Sequence, residues 1–224
     1  MTSSTKPTLA DLTSLYSKFF DAFRQAQGIP DSTQFDKTPE RVVKAMLELT
    51  EGYHQSPEEI LSKSFDDPLD EEAVPSYSLT DGLLMVWGNI PIISNCAHHL
   101  LPMIGYAHIG MVVDKSIIGL SKVPRVVQAL AKRLQVQEEL GLTISKVLTE
   151  VIPKQTNCKV LGTAVLLDLA HSCMRIRGVK MANSAVTTSH LTGIFLKDDK
   201  NVKAEFLQLV APYRQSSITN LISV

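Results

Sequence analysis

The chain has 224 residues, 44% hydrophobic and 20% charged, an ordinary composition for a globular protein able to bury a sizeable core. Lys and Arg number 22 against 23 Asp and Glu, so no basic excess exists to draw in nucleic acid or an anionic membrane. The odd count of three cysteines argues against a disulfide framework, and with no signal-like start and no run of ~18 apolar residues the expected location is cytoplasmic.

Leu9, Leu12, Leu15, Tyr16, Phe19, Phe20, Phe23 and Ala26 recur at three- and four-residue steps, which predicts an amphipathic helix from Thr8 to Gln27, ended by Gly28 and Pro30. A second helix is expected at "TPER", with Thr38 as N-cap and Pro39 in the first turn, carrying Val42, Ala45, Met46 and Leu49 on one face and stopping near Gly52. "SPEE" repeats the device, with Ser56 as cap and Glu59 placed to complete a capping box. Asp66 to Ser78 is acidic and aperiodic and reads as a loop. Residues 1–65 are therefore expected to form an N-terminal helical segment, and 66–224 the main domain.

"GLLMVWGN", "PIISN", "MIGYAHIGMVV" and "SIIGL" are short apolar runs separated by turn signals, and predict antiparallel strands. Ser121 opens a long helical region in which Gly141 is a candidate break. "CKVLGTAVLLDLAHSCMRIRG" and "SAVTTSHLTGIF" return to strand character, and Asp198 to Leu209 reads as a closing helix. The order of elements is that of an α+β fold.

Cys96 and His99 form a C-x2-H pair that a tight turn can bring onto one ion. His171 and Cys173 are two apart in an expected strand, hence on one face of it. Free cysteines are often merely buried, but two Cys/His clusters together suit zinc. A fourth position could be filled by Cys158, His98, His171 or water, and the imidazoles of His98 and His171 serve either as ligands or as proton carriers. Ser121, Lys122 and Arg125 at a helix start would suit a polyphosphate. Arg175 and Arg177 follow the H-x-C pair on the same face if the strand continues. His54, His108 and His190 read as structural or surface groups.

Taken together, "TPERV", "CAHHLLPMIGYAHIG", "GLSKVPRVV", "KRLQVQEEL" and "HSCMRIRGV" resemble, in order and spacing, the GTP cyclohydrolase I family over about Lys37 to Val210. The resemblance implies a T-fold, an antiparallel sheet backed by long helices, assembled into a homodecamer with sites between subunits. It implies zinc on Cys96, His99 and Cys173, with water in the fourth place, and catalysis by His98 and His171. By the same resemblance Ser121, Lys122, Arg125 and Arg177 hold the triphosphate of GTP, and Gln137 and Glu138 receive its guanine. The implied reaction is hydrolytic opening of the purine at C8 with release of formate and rearrangement to 7,8-dihydroneopterin triphosphate, first step of tetrahydrofolate and pterin synthesis.

The chain departs from the pattern at Ala97, where the family's motif carries Glu, and at Pro124. The linker from Glu150 to Leu161 looks longer than usual, and Arg175 is additional. Two other readings therefore stand beside the cyclohydrolase: a diverged nucleotide binder with weak turnover, and a structural-zinc interaction protein in which Cys158 closes the site.

Overall fold

Local turn chemistry accounts for the start of the chain. The computed structural model describes residues 6–62, 82–114, 118–155, 159–197 and 201–222. Two compact units divide it, residues 1–50 and 51–224. In the first, α1 (Leu9–Gln27) opens on a complete capping box between Thr8 and Asp11 and closes on Gly28, whose φ of 65° is the left-handed conformation glycine adopts freely. Phe20 meets Phe35 edge-on, with the Arg24 guanidinium over both rings. α2 (Thr38–Leu49) corrects one expectation: Lys37, not Thr38, is the N-cap, and no side chain caps the helix. Thr38 is already the first residue of the helix, so it lacks the extended backbone from which a cap presents its hydroxyl. Pro39 occupies the first turn as expected.

The second unit begins with a 3-10 turn at Glu51–His54 and α3 (Pro57–Ser62). Ser56 Oγ accepts from the Glu59 N–H at 3.2 Å, but it donates to Glu58 at 2.8 Å, so Glu58 replaces Glu59 as the carboxylate partner. The boundary expected after residue 65 and the loop from Asp66 to Ser78 lie outside the described residues.

β1 (Leu83–Cys96) merges "GLLMVWGN" and "PIISN", expected as two strands, into one. It pairs antiparallel with β2 (Pro102–Val113). Of "SIIGL", Ile118 to Leu120 are not strand, and the rest lies outside the described residues. α4 (Lys122–Ala131), β3 (Leu134–Gln135) and α5 (Gln137–Glu150) follow, then α6 (Ile152–Gln155). Gly141 therefore does not break the helical region; it lies inside α5, and the break is at Lys132–Val136. Gly52 explains the position of that break. Its N–H donates to the Lys132 carbonyl at 2.9 Å and its carbonyl accepts from Arg133 at 2.9 Å, while a Cβ there would fall 2.0 Å from the Ala129 oxygen. Close backbone approach of this kind requires glycine.

β4 (Val160–His171) runs directly into one helical turn, α7 (Ser172–Arg175). β5 (Val186–Leu191) and α8 (Val202–Ile222) complete the unit, α8 extending well past Leu209. The sheet order is β3-β1-β2-β4-β5, antiparallel except for the two-residue parallel bridge of β3 to β1. Ile92, Ile109, Met111, Leu167 and Leu169 pack one face of the sheet against Val126, Leu130, Ile144 and Leu148 of α4 and α5. On the opposite face Val112, Ala164 and Leu166 meet Phe195, Phe206 and Val210, which brings α8 onto the sheet. This is the expected α+β T-fold layout with a helical N-terminal segment.

Candidate metal centre and proton-transfer cluster

A bulge in β1 aims the first cysteine. Leu83, Met85 and Trp87 face the α4 and α5 side, but beyond Gly88 and Asn89 it is Ile90 and Ile92 that do so, because the β1–β2 register shifts between Trp87 and Ile90. One unpaired residue exchanges the two faces of a strand, so Cys96 arrives buried on the helix side. Asn89 adopts a φ of 53°, a left-handed conformation that Asn tolerates better than most residues. Its N–H donates to Nδ1 of the fully buried His108 at 3.3 Å.

The turn from β1 to β2 folds back on itself, the His99 and Leu100 N–H groups both donating to the Cys96 carbonyl at 3.3 and 2.8 Å. His99 Nδ1 lies 3.7 Å from Cys96 Sγ, and His98 Nδ1 4.0 Å from it. Across the sheet, β4 stops at His171, which pairs with Met103 at the start of β2. Cys173 therefore sits in α7, which corrects the expectation of a strand carrying His171 and Cys173 on one face. The helical turn still delivers the thiol: the ligand atoms of Cys96, His99 and Cys173 all lie within 4.8 Å of one another. Burial pushes the Cys173 thiol up, and Cys96 beside it adds to this, against an opposing pull from Arg177.

His171 is half-buried, and burial lowers its pKa although Glu138 pulls the other way. Its Nε2 is 2.6 Å from Oε1 of Gln137, the first residue of α5. α5 begins here because β3 is bridged to the metal strand, Asn95 and Cys96 opposite Leu134 and Gln135, with the Ala97 N–H donating to the Gln135 carbonyl at 3.0 Å. The helical break and the Cys-Ala-His-His turn are thus one construction. Gln137, expected against a purine, has its carboxamide engaged within the fold, whereas Glu138 is exposed.

Ser121 and Arg125 are exposed at the first turn of α4, and Arg125 lines a cavity of about 430 Å3 together with Lys132, Gln128 and Ile93. Lys122 lies buried, its ammonium donating to the Leu61 carbonyl at 3.1 Å, so the three do not form one open basic patch. Arg177 is exposed. Arg175 does not continue a strand face; its guanidinium donates to the Leu221 carbonyl at 2.6 Å and to Ala182. Cys158 lies outside the described residues.

The sequence model of GTP cyclohydrolase I matches residues 17–211. This chain belongs to the GTP cyclohydrolase I family. Relatives named GTP cyclohydrolase 1 include that of Campylobacter jejuni subsp. doylei, 39% identical over 83% of this chain and 88% of the relative. That of Gloeobacter violaceus is 38% identical over 81% and 76%, and that of Chlorobium phaeovibrioides 39% over 82% and 74%.

The donor set fits the zinc that the GTP cyclohydrolase I family implies. Two thiolates and an imidazole are soft-to-borderline ligands suited to zinc. Tetrahedral zinc with ordinary bond lengths would separate a sulfur and a nitrogen ligand by about 3.6 Å. The 3.7 Å between Cys96 Sγ and His99 Nδ1 meets that requirement. Ala97 is exposed at the position where GTP cyclohydrolase I carries Glu, so its departure removes a carboxylate without disturbing packing. Pro124 lies in the first turn of α4, where an N–H has no helical partner to lose. Among the described residues no helix is long and apolar enough to cross a membrane.

Proposed function

We propose that this chain is a zinc-dependent GTP cyclohydrolase I, opening the purine of GTP at C8, releasing formate and yielding 7,8-dihydroneopterin triphosphate for tetrahydrofolate and pterin synthesis. The observation that carries the reading is the convergence of Cys96, His99 and Cys173 within 4.8 Å beside His98, with His171 at the end of β4, two residues before Cys173. Cys96, His99 and Cys173 hold the ion, and when bound it supplies the Lewis acidity that makes hydroxide available near neutral pH. Hydrolysis at C8 also needs a proton withdrawn from water and one delivered to the departing ring nitrogen. His98 and His171, two imidazoles from separate elements flanking the ligands, provide both functions.

Glu138 accepts from the ring N–H and exocyclic amine of guanine, a donor pair adenine does not offer, and Gln137 forms the wall beside it. Ser121, Arg125 and Arg177 take the triphosphate, with the Lys122 ammonium as fixed charge beneath the start of α4. The outer edge of β5, and the edge of β1 away from β2 except where β3 covers Asn95 and Cys96, carry no neighbouring strand among the described residues, which supports continuation of the sheet across copies in a homo-oligomer, decameric by resemblance to the family. A cytoplasmic location, expected from the odd cysteine count, would keep the Cys96 and Cys173 thiols reduced and available to the ion.

Incubation of the zinc-loaded protein with GTP tests the reading. Stoichiometric formate together with the fluorescence of an oxidised pterin is expected; nucleotide binding without formate would overturn it. Light scattering is expected to return a mass ten times the 24.6 kDa of the chain.

A further inference from the structure

We propose that Gln137 is a positioning residue that fixes the neutral imidazole of His171 with its proton on Nε2 and its lone pair on Nδ1. The proposal rests on the reading of His171 as a proton carrier, and it assigns which ring atom carries the proton.

The argument starts from the strands. Gln137 is 2% exposed, and its Nε2 lies 2.9 Å from the Val186 carbonyl, 3.2 Å from the Leu167 carbonyl and 3.1 Å from Thr188 Oγ1. Carbonyl oxygens only accept. Turning the amide over would set Oε1 against two carbonyls with no proton between them, so the strands dictate that the NH2 faces them. The other end of the amide is then an oxygen, and it lies 2.6 Å from His171 Nε2. An amide oxygen cannot donate, so the proton in this contact belongs to Nε2. A neutral imidazole carries one N–H, which leaves Nδ1 as the acceptor.

The anchor is rigid. Leu167 and Thr188 are opposite one another in the β4–β5 ladder, and Val186 pairs with Leu169 two residues on. Gln137 thus transmits the geometry of two paired strands to one imidazole at the end of β4. With both N–H donors turned to the strands and the oxygen turned to His171, the amide is held away from donating to a purine edge, so guanine discrimination falls to Glu138.

Two readouts separate this proposal from the function on which it rests. In the zinc-loaded protein without GTP, nitrogen NMR of labelled histidine, with His171 assigned by loss of its signals in His171→Gln, is expected to show a protonated Nε2 and a pyridine-like Nδ1. The opposite tautomer overturns the proposal whether or not GTP is turned over. In steady-state kinetics, Gln137→Met, which keeps the volume and removes both the amide oxygen and its donors, is expected to lower kcat by about 10- to 100-fold with KM for GTP changed less than about threefold. A raised KM at unchanged kcat would instead identify Gln137 as a purine contact and overturn the positioning role, as would wild-type kinetics. Should Gln137→Met fail to fold, the wild-type tautomer decides alone.

Discussion

Ala97 is where this chain departs from the GTP cyclohydrolase I motif beside its candidate metal ligands. Its side chain is exposed in the turn between Cys96 and His98, so a longer group there meets no packed neighbour. Ala97→Glu is expected to leave thermal stability within about 0.5 kcal/mol of wild type. By restoring a carboxylate beside the two imidazoles it is expected to raise GTP turnover about tenfold, read as formate released per chain. An unchanged rate would show the position to be neutral. The ligands allow a sharper test: Cys173→Ser is expected to abolish stoichiometric zinc binding, whereas Cys158→Ala is expected to retain it, because Cys96, His99 and Cys173 already converge. Zinc lost from Cys158→Ala would instead establish the closed structural site. The spacing of residues 96–99 was enough to find half of this centre. The H-x-C pair misled, because "LAHSCMRI" keeps a strand-like alternation. What stops β4 at His171 is nonlocal: its partner β2 begins at Pro102, and Met103 is opposite His171. Beyond that point β2 offers no backbone to pair with, and the chain coils into α7.

At the scale of elements, the bulge in β1 connects the Gly88-Asn89 dipeptide to the candidate metal centre. Gly88-Asn89 carries the same composition as a hairpin turn, so a reading from sequence divides the strand there; only pairing with β2 shows that the chain continues. Likewise Gly141 has the composition of a helix break but the surroundings of an ordinary helix position, where a Cβ would meet a Leu167 methyl at 3.7 Å and His190 Cβ at 3.9 Å, ordinary van der Waals contact. The true break depends on Gly52, some eighty residues away in sequence, and no local pattern encodes it. Periodicity and caps therefore made the helices and the strand composition legible, and long-range backbone contacts set where they end. Deleting Asn89 removes the extra residue and returns β1 to strict alternation, which directs Cys96 to the α8 face. Zinc stoichiometry is expected to fall below one per chain in that variant. Asn89→Gly, which keeps the positive φ, is expected to bind zinc normally, and Asn89→Ala to cost about 1 kcal/mol in urea unfolding with the metal retained.

Across the second unit as a whole, one buried polar network ties three strands to α8. Arg214 donates through Nε and Nη2 to Asp168 at 2.8 and 3.0 Å, and Thr187 of β5 donates to the same carboxylate. Burial pushes Asp168 upward, but the Arg214 and Thr187 hydrogen bonds outweigh it and hold the carboxyl below its ordinary value. His108 of β2, fully buried, has Nε2 3.6 Å from Asp168 Oδ2, too far for a hydrogen bond, while its Nδ1 accepts from the bulge N–H of Asn89. Burial lowers the His108 pKa from 6.5 to about 4, opposed by Asp168 and assisted by Arg214. Protonation would also place an N–H at Nδ1 facing the Asn89 donor, so the charged ring and the bulge are incompatible. The unfolded chain takes up the His108 proton below its ordinary pKa of 6.5 and the folded chain only near 4, so acid favours unfolding across that interval. Stability contributed by neutral His108 is complete above 6.5, falls as pH drops toward 4, and is constant below that. Asp168 adds a second loss only below its ordinary 3.8, since its folded pKa is depressed. Between about pH 7.5 and 5, urea unfolding is expected to show His108 costing the fold about 2 kcal/mol. His108→Gln, whose amide oxygen can accept from Asn89 without titrating, is expected to remove that portion of the pH dependence. A wild-type slope retained in His108→Gln would locate the acid sensitivity elsewhere. Because the bulge also aims Cys96, zinc retention in wild type is expected to weaken over the same interval and to do so less steeply in His108→Gln, the difference between the two separating loss of the strand geometry from protonation of the ligands themselves.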